Sequence, residues 1–99
     1  MADGTQSVDL GQSLDITGVS QLHGRLAEAL QGGGRVALDG SRIERVDAAG
    51  IQLLVAFAHA AAERGGWHWQ GGTAPQPVAD AAAQLGLDAE LAREPGNQG

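Results

Sequence analysis

The chain has 99 residues, 42% of them hydrophobic and 3% aromatic, with a formal net charge of −6 and no cysteine. That length suits one domain with a modest core. The acidity disfavours nonspecific nucleic-acid binding and anionic membrane surfaces, the scarcity of aromatics removes a stacking platform for single strands, and the absence of cysteine removes disulfides, thiolate metal sites and a catalytic thiol.

In chain order, the polar stretch from Met1 to Ser7 lacks the basic and apolar regions of a signal peptide. No apolar run reaches the ~18 residues of a membrane span. A cytoplasmic location without direct membrane insertion is therefore expected. Residues 1–6 and 93–99 read as flexible, Gly- or Pro-marked tails around a domain at 7–92. Val8 to Ile16 alternates weakly and is interrupted by Gly11-Gln12-Ser13, which predicts two short strands around a turn. Val19, Leu22, Leu26, Ala29 and Leu30 share one helical face, with Thr17 or Ser20 as cap and Gly32-Gly33-Gly34 as stop. Val36-Ala37-Leu38 predicts a central strand. A second helix is expected from Ala48 to Arg64, ended by Gly65-Gly66, and Trp67-His68-Trp69-Gln70 reads as a half-buried strand. Thr73 is expected to cap a third helix with Pro75 or Pro77 in its first turn, and Val78, Ala82 and Leu85 along its buried stripe. Leu87 and Leu91 are expected to fold back onto the core.

This order predicts an α/β fold: a small mixed sheet of about four strands, at least partly parallel, with helices mainly covering one face.

The most informative stretch is Leu38-Asp39-Gly40-Ser41-Arg42-Ile43-Glu44-Arg45-Val46-Asp47-Ala48-Ala49-Gly50-Ile51. It joins a strand end to an acid-capped apolar helix, a place where backbone N–H groups are free. Asp47 reads as an N-cap, a role compatible with contacting a partner. On the second helix, Ile51, Leu54, Val55, Ala58 and Ala62 form the stripe expected to face the sheet. Leu53, Ala56, Phe57 and Ala60 form a second apolar sector, with Gln52, His59 and Glu63 between them. That second sector suits either a protein interface around Leu53 and Phe57 or packing against a neighbouring helix.

Catalytic arrangements are weak. His23, His59 and His68 lack ligand-like spacing and fall on separate elements. Asp39, Glu44 and Asp47 cluster near one loop, as solvated acidic loops do. Gly32-Gly33-Gly34 precedes a strand, whereas a phosphate loop precedes a helix. Trp67 and Trp69 read as packing residues. No enzyme, metal site or cofactor is expected.

The pattern resembles the STAS domain of bacterial anti-sigma factor antagonists. The resemblance rests on Ser13-Leu14-Asp15-Ile16, Val36-Ala37-Leu38-Asp39-Gly40-Ser41, Arg45-Val46-Asp47-Ala48-Ala49-Gly50-Ile51-Gln52-Leu53-Leu54, Gly65-Gly66 and Leu85-Gly86-Leu87. It implies a partner-docking surface at this helix start; together with the second apolar sector of the helix, the candidate partner-binding residues are Asp47, Ala48, Ala49, Gly50, Gln52, Leu53 and Phe57. It also implies a serine directly after the motif aspartate, phosphorylated by a partner kinase in sigma-regulating members. Ala48 stands there instead, and a methyl group cannot accept a phosphoryl group. Ser41, the nearest hydroxyl, reads as a turn side chain. The expected function is a non-catalytic, anti-sigma-antagonist-like interaction module whose partner is an anti-sigma or histidine-kinase-like ATPase. Two alternatives are an accessory subunit on the ATPase of a lipid-asymmetry ABC transporter, which the chain also resembles, and a component of a chemotaxis-type signalling system. Homodimerisation is compatible with each.

Overall fold

The parallel sheet is built where apolar residues alternate along three short segments. A computed structural model describes residues 5–92. β1 (Gln6–Asp9), β3 (Val36–Asp39) and β5 (Trp67–Trp69) form a three-stranded sheet in the order β1-β3-β5, with both pairs parallel. Register sets Val8 opposite Leu38, Leu38 opposite Trp69, and Val36 opposite Trp67. Side chains alternate between faces along a strand, so these residues share one face, and all five are buried. The opposite face carries Ser7, Ala37 and His68. There Ser7 Oγ donates to Gln70 Oε1 at 3.0 Å, and Arg35 Nε donates to His68 Nδ1 at 2.8 Å.

β2 (Ser13–Leu14) and β4 (Arg45–Val46) make a separate parallel pair. The described strands therefore number five, and every pairing is parallel. Gly11, at φ +79°, breaks the chain between β1 and β2. An Asp15–Thr17 turn then ends β2 after two residues. The α/β class and helix-covered sheet are as the sequence indicates. β4 is the added strand: two residues inside a charged loop carry no periodicity to read.

The helices are α1 (Val19–Gln31), α2 (Ala48–Ala62), α3 (Gln76–Gln84) and α4 (Asp88–Ala92). α1 buries Leu22, Leu26 and Ala29. Its N-cap is Gly18, with neither Thr17 nor Ser20 capping it. The Thr17 hydroxyl is already committed to Asp15, whose own carbonyl receives the Gly18 and Val19 N–H groups. α3 begins after Pro75 and not at Thr73. Gly71 and Gly72 hold positive φ in the preceding turn, which keeps the residues before Ala74 out of the helix. Pro77 lies in the first turn, where a missing N–H costs nothing. α4 is the element into which Leu91 folds back; Leu91 is buried and its carbonyl accepts from Trp69 Nε1 at 2.7 Å. Trp67 and Trp69 meet edge to face at 5.7 Å in the core.

α2 ends at Ala62, two residues short of the expected Arg64, because the chain turns into Gly65-Gly66. A Cβ on Gly65 would sit 2.3 Å from the Gly34 carbonyl carbon, so only glycine allows this turn to lie against the start of β3. β1 begins at Gln6, inside the segment read as a tail; residues 1–4 and 93–99 lie outside the described residues. Among the described residues no helix is long and apolar enough to cross a membrane.

Candidate functional site

Asp47 organises the start of α2. Its Oδ1 accepts from the Gly50 N–H at 3.2 Å, the N-cap bond, and its Oδ2 accepts from the Ile16 N–H at 3.2 Å. The Asp47 N–H donates to the Leu14 carbonyl at 3.1 Å. One residue therefore closes the helix end and ties it to the loop after β2. Next to it, the Asp15 carboxylate accepts from both the hydroxyl and the N–H of Thr17. The Thr17 hydroxyl bond, the largest effect, holds the Asp15 carboxyl below its usual value; desolvation, second in size, opposes it, and backbone bonds from Thr17 and Gly18 and nearby Arg45 add to the lowering.

The predicted surface divides in two. Ala48 and Gln52 are exposed, and Asp47, Ala49 and Leu53 are half-buried. Gly50 and Phe57 are buried. A Cβ on Gly50 would lie 2.2 Å from the Leu14 carbonyl oxygen, so this glycine lets α2 pack directly on β2. Phe57 is 4% exposed and belongs to the core, with Ala61 also buried. Val55 is only half-buried and Ala62 is exposed. The buried stripe is thus rotated toward Phe57, because α1 packs on that flank. Between α1 and α2 remains an apolar groove of about 190 Å³, lined by His23, Leu26, Leu30, Leu53 and Phe57 among others. Gly50 and Phe57 serve packing, and the accessible tip narrows to Asp47, Ala48, Ala49, Gln52 and the edge of Leu53.

Ile16 joins that tip, and sequence reading did not single it out. Its side chain is 69% exposed, the largest value among the big hydrophobic residues described, while Leu14 two residues earlier is fully buried. The weak alternation read over Val8 to Ile16 did not set Ile16 apart. The turn at Asp15 breaks that alternation, and a hydrogen-bonding Asp-x-Thr directly after the strand is the signal that could have revealed it.

Ser41 lies apart from this machinery. Its hydroxyl donates to Asp39 Oδ1 at 2.7 Å and its N–H to the same oxygen at 3.0 Å. These two bonds, the backbone one first, hold the Asp39 carboxyl below its usual value. Among the described residues no three His, Asp or Glu side chains converge as a metal site. His59 Nε2 lies 2.6 Å from Glu90 Oε1, His68 accepts from Arg35, and His23 borders the groove.

A family model described as "Mlab, STAS domain" matches residues 1–93. The chain belongs to the STAS-domain family. No curated protein and no solved structure matches it. STAS domains are generally interaction modules without catalytic activity. The hydroxyl-free start of α2, Ala48-Ala49, follows an aspartate whose two oxygens are both engaged by backbone N–H groups.

Proposed function

We propose that this protein is a non-catalytic, anti-sigma-antagonist-like STAS module that docks on a cytoplasmic ATPase through the N-terminal tip of α2, without a phosphorylation switch. The observation that carries the reading is the tip itself. Ala48 is exposed at the position where switched members carry a serine, and Asp47 is held as a cap. A methyl group there presents one constant shape and charge. Binding is then regulated by the abundance of the two proteins or by the partner's own state.

A second reading is favoured by the description of the matching family model, Mlab. In that reading the ATPase belongs to a lipid-asymmetry ABC transporter, which the chain supports as an accessory subunit. The two readings share the docking tip and differ in the ATPase.

Titration calorimetry of the full chain against a purified histidine-kinase-like ATPase and a purified ABC ATPase, chosen from genes beside its own, separates them. Ala48→Glu is expected to weaken the bound pair by at least about tenfold, or ~1.4 kcal/mol, since it adds bulk and charge at the contact. Its melting temperature should be unaltered. Equal affinity of parent and variant contradicts the tip as the docking site. A phosphopeptide covering Ser41 after incubation with the kinase contradicts the absence of a switch.

A further inference from the structure

We infer that Ile16 is the apolar anchor of the docking tip, inserting into an apolar socket on the partner that is bordered by cationic side chains. The inference rests on the docking reading above and names a residue and a partner chemistry for it. Single exposed hydrophobic residues are common on protein surfaces. Ile16 differs from an incidental one in how it is held. Its N–H is bound by the Asp47 carboxylate, the residue that caps α2. The residues on either side form a closed turn, with Asp15 accepting from the Thr17 hydroxyl and N–H, and the Asp15 carbonyl accepting from Gly18 and Val19. A β-branched side chain on a backbone fixed by such a turn loses little freedom on binding, the property that makes an anchor effective.

Its position supports the same conclusion. The bond to Asp47 sets Ile16 directly beside the exposed Ala48 end of α2, so a rigid apolar knob stands next to a bare helix tip. The surroundings fix the partner's chemistry. Asp15, the preceding residue, and Asp47, which holds the Ile16 N–H, flank the knob, with Arg45 near Asp15, in a chain of net charge −6. A cationic rim complements that acidic pair. A second copy of this chain would bring the same carboxylates together and is disfavoured, as is nucleic acid.

The test measures the affinity of the purified ATPase that binds the parent chain in the titration above, using Ile16→Ser, Ile16→Val and Ala48→Glu side by side. Ile16→Ser should weaken binding by about 30-fold, the loss typical of an anchor, while Ile16→Val should stay within about 5-fold because it removes one methylene. Both should melt with the parent, since the side chain projects from the core. The parent affinity should fall as NaCl rises from about 50 to about 500 mM. Parent-like affinity of Ile16→Ser beside a loss for Ala48→Glu overturns the anchor and leaves the docking tip standing. Parent-like affinity of all three variants, or a parent chain that binds neither ATPase, overturns both. A salt-independent affinity overturns the cationic rim.

Discussion

Replacing Asp47 by alanine removes two hydrogen bonds that no neighbouring side chain can restore. The first is the cap to the Gly50 N–H, and the second is the tie to the Ile16 N–H, each at 3.2 Å. Loss of a cap costs about 1 kcal/mol, and loss of one further net hydrogen bond about 1 kcal/mol. Asp47 is only half-buried, so water can reach the freed N–H groups, and the sum stays near 2 kcal/mol. In a domain of this size each kcal/mol moves the melting temperature by roughly 4–8 °C. Asp47→Ala should therefore melt roughly 8–16 °C below the parent by circular dichroism, with a matching fall in the urea midpoint. Asp47→Ser retains a capping oxygen but has no second oxygen for Ile16, and should lose about half as much. If Asp47→Ala stays within about 0.5 kcal/mol of the parent, the range of an ordinary surface change, then Asp47 does not fasten the tip and the reasoning from its hydrogen bonds is wrong.

Gly50→Ala should destabilise by about 1–3 kcal/mol in urea unfolding, because its Cβ meets the Leu14 carbonyl; helix propensity alone predicts a gain of about 1 kcal/mol, so the sign decides. Trp69→Phe leaves the Leu91 carbonyl without its buried donor and should cost about 1–3 kcal/mol, with amide exchange in α4 accelerated most. Asp15 and Asp39 titrate below the usual aspartate value of 3.8 when folded. Their contribution is thus present above that pH and is lost as pH falls through the lower folded values. The urea midpoint should drop on acidification below about pH 4, and the Asp15→Asn, Asp39→Asn double variant should show a flatter acid limb.

Much of this molecule was legible because its periodicities are clean. The Val8, Val36–Leu38 and Trp67–Trp69 segments announced the sheet, and glycines at 32–34, 65–66 and 86 marked the helix ends. The Asp47 cap was legible because an acid directly before an apolar run has few other roles. What escaped was short or set by neighbours. β4 has two residues, and its pairing with β2 is visible only once both are placed. Phe57 fell on the apolar sector that either a partner or α1 could cover, and α1 covers it. Gly50 looked like part of the tip, yet it is buried because β2 runs directly beneath it. Ile16 was hidden by an alternation that a side-chain turn interrupts. Each of these depends on contacts between elements far apart in the chain, which a local pattern does not encode.

The most direct measurement of the account is amide shift mapping on the isotope-labelled chain during titration with its purified ATPase. Signals of residues 15–17 and 47–53 should shift or broaden first, with the sheet face carrying Ser7 and His68 unaffected. Perturbations centred on that sheet face, with the α2 tip silent, would contradict it.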